Sequence, residues 1–281
     1  MTVYISPNPG KEQAADTARR AAQLLLMQGA VVLMRDDLNE TCCADGVQYL
    51  PLEGCLPRTD VILTIGGDGT ILHLARFART HNIPILGVNT GSLGYMAELE
   101  PGEVKLLRQV VEGKYRLEPH MMLDFRVIRN GRVIHEDTAL NETTIRTSAV
   151  GKEIHFVIYA DGVELFACSG DGVIIGTPTG STAYNVSAGG PIVEPTAENI
   201  LVTPICAHDL RVRPCVLSKD RVVTVELGHI GKKGVFLSPD GGSFRLSDHD
   251  KIELRSSKSR INLVRVTNRS FYEILHQKLG T

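Results

Sequence analysis

The chain has 281 residues, of which 43% are hydrophobic and 22% are charged, as in an ordinary globular protein of one large domain or two smaller ones. Its 30 Lys and Arg residues against 32 Asp and Glu residues give a net charge of −2, which lacks the basic footprint of a nucleic-acid-binding protein. The N-terminus shows no signal-peptide pattern, and the most apolar stretch, residues 21–34, is too short and too polar for a membrane span. We therefore expect neither nucleic acid nor a membrane as a partner.

Up to about residue 118, apolar runs of strand length alternate with helical stretches. The pattern predicts strands over 3–6, 30–34, 60–65 and 84–89, and helices over 11–28, 70–81 and 102–112. The run DVILTI at 60–65 is almost continuously apolar, as a strand buried on both faces of a parallel sheet must be. The alternation predicts a Rossmann-like α/β domain, in which helices cover a parallel sheet.

From about residue 119 the pattern changes to short strands joined by tight turns. Asn130-Gly131 and Asp161-Gly162 each lie between β-rich runs, and both dipeptides favour the type I′ turn of a hairpin. Further strands are predicted over 221–227, 234–237, 251–254 and 261–266, and a helix capped by Ser270 over 270–279. We therefore expect an α/β domain at 1–118, a β-rich, sandwich-like domain at 119–264 and a C-terminal helical tail at 265–281 that packs back on the first domain.

The first motif with chemical content is Gly66-Gly67-Asp68-Gly69-Thr70, which directly follows the buried strand and precedes a helix. Open α/β sheets bind ligands at the carboxyl ends of their strands, and the N-terminus of a helix there attracts phosphate. Asp68 would repel a phosphate unless its carboxylate binds a metal or accepts a proton. The alternative is an ordinary strand-to-helix turn with Asp68 as the helix cap, and the motif alone does not separate the two.

A second motif, from Gly170 to Pro191, combines six glycines with five Ser and Thr residues. Such groups supply hydrogen-bond donors and acceptors to a polar ligand, and Tyr184 can lie against an aromatic ring. A flexible glycine-rich loop is the alternative, although the stretch is too rich in distinct chemical groups for a plain linker. Asn141-Glu142 is a weaker third motif, because an amide beside a carboxylate can bind ribose hydroxyls but is more often simply exposed on a strand.

Other common signatures are missing from the sequence. It contains no P-loop, no complete dinucleotide fingerprint and no hydrolase nucleophile elbow, so these three classes of enzyme are not indicated. Its six cysteines form no C-x-x-C pair, so we expect no metal site and read them as reduced thiols of a cytoplasmic protein.

Taken together, the motifs resemble the NAD kinase family. The blocks that carry the resemblance lie in family order over nearly the whole chain: GGDGT (66–70), ALNE (139–142), GDGVIIGTPTGSTAYNVSAGGPIV (170–193), TPICAHDLRVRPCVL (203–217), SPDGG (238–242) and the closing SFYEILHQKLG. The long block is the most specific, since GGDG alone also occurs in 6-phosphofructokinases and diacylglycerol-type lipid kinases.

The resemblance implies a kinase that transfers a phosphoryl group from ATP, or in some members from polyphosphate, to the 2′-hydroxyl of the adenosine ribose of NAD, giving NADP. Mg²⁺ or another divalent metal would neutralise the phosphates, and Asp68 would be the catalytic base that takes the hydroxyl proton. The phosphate-binding turn would consist of Gly66, Gly67, Gly69 and Thr70. The NAD contacts would come from Asp68, Gly69, His73, Asn141, Glu142, Lys152, Asp171, Thr182, Ala183, Tyr184 and Ser187.

The resemblance also implies a homodimer or homotetramer in which some NAD contacts cross a subunit interface, with the β-rich half supplying the NAD site and the assembly surface. Gly242 departs from the family pattern, which often has Gln there. Two other functions stay open: a lipid or sugar-phosphate kinase that shares GGDG, and a sensor that binds a dinucleotide without turnover. The presence of Asp68 argues against the sensor, because binding alone gains little from a carboxylate near a pyrophosphate.

Overall fold

The computed structural model describes residues 1–91, 94–149, 152–231 and 233–280, and it divides into two compact units. Unit 1 comprises Met1–Pro119 together with Ile261–Thr281, and unit 2 comprises His120–Arg260. The C-terminal helix thus returns to the unit formed by the N-terminal part of the chain.

The elements of both units follow one another along the chain without long gaps. The strands are β1 (Thr2–Pro7), β2 (Val31–Arg35), β3 (Gln48–Leu50), β4 (Val61–Gly66), β5 (Ile85–Asn89), β6 (Arg116–Arg129), β7 (Arg132–Ala139), β8 (Glu142–Thr147), β9 (Ile154–Ala160), β10 (Val163–Gly170), β11 (Gly172–Gly176), β12 (Asn199–Ile205), β13 (Cys215–Ser218), β14 (Val223–Leu227), β15 (Val235–Pro239), β16 (Phe244–Arg245) and β17 (Lys251–Arg265). The α-helices are α1 (Glu12–Met27), α2 (Leu52–Cys55), α3 (Asp68–His81), α4 (Leu107–Val111), α5 (Tyr184–Ser187) and α6 (Phe271–Leu279). Short 3₁₀ helices cover Asp36–Leu38, Leu56–Arg58, Pro101–Leu106 and Thr179–Thr182. In the described part of the chain no helix is both long and apolar enough to cross a membrane.

Unit 1 is built on a parallel sheet with the strand order β3-β2-β1-β4-β5, and the end of β17 pairs with β5. The chain starts at β1, builds outward through β2 and β3, and resumes on the other side of β1 with β4. Because the winding reverses between β1 and β4, the connections that leave these two strands diverge and form a crevice. Residues 7–11 after β1 and 66–70 after β4 lie at this crevice.

The core of unit 1 forms because α1 turns a row of alanines toward the sheet. Ala14, Ala18 and Ala21 are fully buried in one cluster with strand residues such as Leu63, and their small side chains allow a close approach. β4 is buried along its whole length, as its apolar sequence predicts. The α/β fold expected for this half is therefore confirmed.

Unit 2 contains two antiparallel sheets that share a hydrophobic core. One sheet has the order β13-β12-β11-β8-β15-β16, and the other places β10, β9, β14 and the first part of β17 side by side, with the β6–β7 hairpin beside them. Phe156 of β9, Val173 of β11 and Leu237 of β15 are fully buried in the same cluster. This confirms the β-rich, sandwich-like architecture that the sequence predicts.

The two predicted hairpin turns have the backbone conformation that their sequences favour. Asn130 and Gly131 have φ angles of 51° and 74°, and Asp161 and Gly162 have φ angles of 50° and 80°. Two consecutive residues with positive φ define the type I′ turn, which matches the twist of the strands it joins. Dipeptide chemistry therefore fixes the β6–β7 and β9–β10 connections.

Two predicted elements differ from the structure. The segment 255–260 separated two predicted strands because it is polar, whereas β17 runs through it as a single strand. Backbone hydrogen bonds hold a strand in a sheet without regard to side-chain polarity, so a polar stretch does not interrupt it. The helix predicted over 102–112 begins as a 3₁₀ helix at Pro101 and becomes α-helical only from Leu107.

Candidate active site

The glycine turn of unit 1 joins β4 to α3 at the crevice between β1 and β4. A Cβ on Gly66 would lie 2.2 Å from Oγ1 of Thr70, so this position requires glycine. A Cβ on Gly67 or Gly69 would meet nothing within 4 Å, which shows that their backbones face open space. The 14-residue helix α3 has no side-chain cap at its N-terminus. Free N–H groups and the positive end of the helix dipole are therefore available to an anion.

Asp68 is the first residue of α3 and does not cap the helix, because Gly67 occupies the N-cap position. Its carboxylate instead accepts hydrogen bonds from the backbone N–H groups of Tyr95, Met96 and Ala97, with N···O distances of 2.8, 3.2 and 3.3 Å. These donors use three of the roughly four lone-pair sites of a carboxylate. The interpretation of Asp68 as a helix cap is therefore wrong, and the group is held in place with acceptor capacity to spare.

A cavity of about 360 Å³ lies at the glycine turn. Four of the predicted site residues line it: Gly67, Gly69, Thr70 and His73. Two cationic residues that the sequence stage did not single out also line it, Lys11 after β1 and Arg35 at the end of β2. Both follow strands at the sheet edge that holds the glycine turn, and this position was a usable signal. The cavity can therefore accommodate a group that carries several negative charges.

In unit 2, the turn that contains Asn141 and Glu142 is held by a residue that the sequence analysis missed. The carboxylate of Asp240 accepts hydrogen bonds from the backbone N–H groups of Leu140, Asn141 and Glu142, at 2.6, 2.9 and 3.2 Å. Asp240 has a φ of 43°, which Asp tolerates better than most residues. The SPDGG block contained this signal, but attention there went to Gly242. Asp240 fixes the direction in which the Asn141 and Glu142 side chains leave the turn.

Two buried acceptors on this turn have no hydrogen-bond partner among the described residues. They are Oδ1 of Asn141, a residue that is only 6% exposed, and Oε2 of Glu142. Burial, and then the charge of Asp240, raises the pKa of Glu142 from 4.5 to about 7. Unsatisfied buried polar atoms are rare in folded proteins and commonly mark a position where a ligand supplies the missing partner.

The raised pKa of Glu142 predicts a particular pH dependence of stability. The native state keeps the Glu142 proton up to about pH 7, whereas the unfolded chain releases it near a pKa of about 4.3, so the unfolding free energy falls as the pH rises between them. The upper limit of this loss is about 3 kcal/mol. We expect Glu142→Gln to lose less stability than wild type between about pH 5 and about pH 8 in urea titrations. The matched control is Glu164→Gln, at an exposed position in the same unit. Equal losses in all three proteins would contradict this assignment.

The glycine-rich segment of unit 2 is tied down by its own buried hydroxyl groups. Thr177 Oγ1 donates to the carbonyl of Leu140 at 2.6 Å, and Ser181 Oγ donates to the carbonyl of Val193 at 3.0 Å. A Cβ on Gly180 would lie 2.2 Å from the carbonyl oxygen of Asn141, so the segment packs directly on the Asn141–Glu142 turn. The alternative of a flexible linker is therefore wrong. These buried groups shape the segment and are not available to a ligand.

The residues of this segment expected to contact NAD are the accessible ones. Thr182, Ala183 and Tyr184 are partly exposed, and Ser187 is exposed at the end of the short helix α5. Asn185 between them is fully buried, and its side chain is bound by Ser181, Pro191 and Thr203. Burial thus divides this stretch into residues that hold it and residues that can meet a ligand.

Asp171 lies away from the Asn141–Glu142 turn within unit 2. In the β8–β11 pair, Gly176 faces Glu142 and Gly172, next to Asp171, faces Arg146. Four residues of strand separate these two ends by roughly 13 Å. Asp171 and the predicted contact Lys152 are both exposed. The structure therefore brings neither of them to the turn within one chain.

No group of three or more His, Cys, Asp or Glu side chains that could hold a metal ion occurs among the described residues. Such a result fits Mg²⁺, which keeps much of its water and commonly binds through substrate phosphates and only one or two carboxylates.

Comparison with protein families shows two matches that together cover most of the chain. Residues 3–115 match the ATP-NAD kinase N-terminal domain, and residues 140–266 match the ATP-NAD kinase C-terminal domain. The glycine turn falls in the first match, and the Asn141–Glu142 turn with the glycine-rich segment falls in the second.

Similar proteins extend over the full length of the chain. It is 32% identical to an NAD kinase of Acetivibrio thermocellus, over 99% of this chain and 97% of that protein. It is 35% identical to an NAD kinase of Lachnoclostridium phytofermentans, over 98% of both chains. Among solved structures, yeast NADH kinase complexed with NADH has a TM-score of 0.87 at 26% identity and covers 100% of this chain and 87% of that one. An NAD kinase from Archaeoglobus fulgidus in complex with ATP has a TM-score of 0.71 at 25% identity, with 99% and 98% coverage.

Proposed function

The chain belongs to the NAD kinase family, and on this basis we propose how its residues divide the work of the reaction. It is an NAD kinase, which transfers a phosphoryl group from ATP to the 2′-hydroxyl of the adenosine ribose of NAD and so produces NADP. Family membership excludes the lipid kinases and sugar-phosphate kinases that share the GGDG motif.

Unit 1 supplies the phosphate site and the catalytic base. The turn of Gly66, Gly67, Gly69 and Thr70 cradles phosphates through backbone N–H groups at the start of α3. The 2′-oxygen of the ribose attacks the γ-phosphorus of ATP, the bond to the β–γ bridging oxygen breaks, and ADP leaves. Asp68 takes the proton of the hydroxyl. The observation that carries this proposal is the Asp68 carboxylate, which three backbone donors fix beside the turn.

Mg²⁺ enters the site bound to the phosphates of ATP. The donor set fits this route, because the described residues offer no three-ligand cluster and Asp68 already accepts three N–H groups. When bound, the ion neutralises charge that develops on the phosphoryl oxygens. Lys11 and Arg35, which line the cavity at the turn, supply further positive charge.

Unit 2 holds the dinucleotide. Asn141 and Glu142 accept hydrogen bonds from ribose hydroxyls, which satisfies the two unpartnered oxygens of their turn. Tyr184 lies against a ring of NAD, and Thr182, Ala183 and Ser187 surround it. His73 contacts NAD from unit 1.

Asp171 and Lys152 act on the NAD bound by a second copy of the chain in a homodimer or homotetramer, since they lie away from the Asn141–Glu142 turn. Exposed apolar residues of unit 2, such as Leu210 and Val163, are 81% and 69% exposed and support an assembly surface there. Six unpaired cysteines support a reducing compartment, the cytoplasm.

The proposed role of Asp171 predicts a loss of affinity without a loss of chemistry. We expect Asp171→Ala to raise the KM for NAD about tenfold or more while kcat changes little, because a charge-assisted hydrogen bond to the substrate is lost. The control is Asp220→Ala, at an exposed position of the same unit. An unchanged KM in Asp171→Ala would remove this residue from the binding site.

A coupled assay tests the proposal. The full chain is incubated with NAD, ATP and Mg²⁺, and an NADP-specific dehydrogenase detects the product. We expect NADP in proportion to enzyme, and its loss when EDTA is added. Polyphosphate replaces ATP in a parallel reaction to identify the donor. NAD binding without product would instead support a dinucleotide sensor.

A further inference from the structure

The carboxylate of Asp68 rests on one short segment of unit 1, residues 94–98, which we call the strip. Three consecutive N–H groups of the strip donate to the carboxylate. A Cβ on Gly94 would lie only 2.2 Å from Oδ1 of Asp68, so the side chain also packs against the strip backbone. The position of the carboxylate is therefore set by the position of the strip.

A buried arginine from the C-terminal part of the chain fixes the middle of the strip. Arg265 is 8% exposed, and its Nη1 donates to the carbonyl of Met96 at 2.9 Å. Its Nε and Nη2 donate to Oε1 of Glu118 at 3.0 and 2.7 Å, and Nη1 also lies 3.3 Å from Oε2 of Glu98. The planar guanidinium thus has partners along its whole edge, which leaves it a single orientation.

The carbonyl that Arg265 binds belongs to the same peptide group as one of the Asp68 donors. The C=O of Met96 and the N–H of Ala97 lie in one plane and point in opposite directions. Holding the Met96 oxygen therefore aims the Ala97 N–H at Oδ1 of Asp68. The contact acts on the direction of a hydrogen bond, and not only on the stability of the fold.

The residues that follow Arg265 bind the strip at its two ends. Oε1 of Glu98 accepts hydrogen bonds from the N–H groups of Val266 and Thr267, at 2.9 and 2.6 Å. At the other end, the ring of Tyr95 lies 6.0 Å from that of Phe271, and Nζ of Lys278 lies 4.1 Å from its centroid. The C-terminal segment therefore contacts the strip at Tyr95, Met96 and Glu98.

We propose that Arg265 is a positioning residue for phosphoryl transfer, which holds the strip so that its N–H groups keep the Asp68 carboxylate aligned. The proposal rests on the role of Asp68 as the base. A misplacement of about 1 Å at a reacting group can lower a rate by about 10²-fold, so a loosened strip affects kcat before it affects substrate binding.

The test uses Arg265→Lys in the full chain. Lysine keeps the charge but cannot donate to the Met96 carbonyl and to both glutamates at once. We expect kcat to fall about tenfold and the KM for NAD to stay within about twofold of wild type. If this variant does not fold, Glu118→Gln loosens the same guanidinium while keeping it, and a several-fold fall in kcat at unchanged KM is expected.

A control separates positioning from general destabilisation. Arg129 forms a two-pronged ion pair with the fully buried Asp250 in unit 2, with both N···O distances at 2.8 Å. Arg129→Lys disturbs a comparable contact that does not involve the strip. We expect it to lower the melting temperature without lowering kcat at a temperature where the variant is folded. A fall in kcat equal to that of Arg265→Lys would overturn the proposal.

A double-mutant cycle with Asp68→Asn decides whether Arg265 acts through Asp68. If it does, Arg265→Lys lowers kcat in the wild-type background and has little further effect when Asp68 is already Asn. Equal effects in both backgrounds would overturn the positioning role while leaving the base intact. Near-normal turnover of Asp68→Asn alone would instead overturn the proposed function of Asp68, so the two failures are distinguishable.

Discussion

Asp68→Asn is expected to lower kcat by at least about 10²-fold while the KM for NAD changes little, because the amide cannot take the proton of the ribose hydroxyl. Asparagine has nearly the same shape as aspartate, and its carbonyl oxygen can still accept from the strip. The glycine turn and the accessible N–H groups of α3 are unaffected. Steady-state kinetics give the split between kcat and KM, and calorimetry measures NAD binding directly.

The control for this variant is Asp60→Asn. Asp60 is exposed in the same unit and accepts a hydrogen bond from the N–H of Thr2 at 2.7 Å, so the same chemical change is made away from the turn. Its kcat should stay close to that of wild type. If Asp68→Asn also turned over at a near-normal rate, another group would have to accept the proton.

Gly94→Ala is expected to lower kcat by about 10²-fold through displacement of Asp68. The new Cβ would lie 2.2 Å from Oδ1 and 2.8 Å from Cγ of the Asp68 side chain, which is far inside contact distance. The carboxylate must then move off the strip and lose hydrogen bonds that orient it. Because the clash involves unit 1 alone, the affinity that unit 2 contributes to NAD binding should persist.

Gly102→Ala is the matched control for Gly94→Ala. A Cβ on Gly102 meets nothing within 4 Å, and this position lies in the same unit. It should leave both kcat and the melting temperature near the wild-type values. Normal kcat in a folded Gly94→Ala variant would show that the alignment of Asp68 by the strip is not required.

The fold could be predicted where local chemistry decides it. The apolar run at 60–65 requires a strand buried on both faces, and Asn130-Gly131 and Asp161-Gly162 favour the turns that the structure contains. The capping box of Ser270 and Glu273 likewise marks the start of α6. The polar middle of β17 could not be predicted, because its place in the sheet depends on strands far away in the sequence.

The candidate site was predictable where a motif carries its own chemistry. The glycines at 66–70 and the pair Asn141-Glu142 could be chosen from the sequence, because close backbone approach and ribose recognition require such residues. Asp240 and Arg265 could not be chosen in this way, since each acts on a backbone group about 100 or more positions away: Asp240 on Asn141, and Arg265 on Met96. Only the folded chain shows such pairings.

The most direct test of the central claim, that this chain phosphorylates the 2′-hydroxyl of NAD, is a phosphorus NMR spectrum of the full chain with NAD, ATP and Mg²⁺. We predict one new monoester resonance on the dinucleotide, assigned to the 2′-position of the adenosine ribose, growing in step with ADP. ADP formation without this resonance, or a phosphate at another position of NAD, would contradict the account.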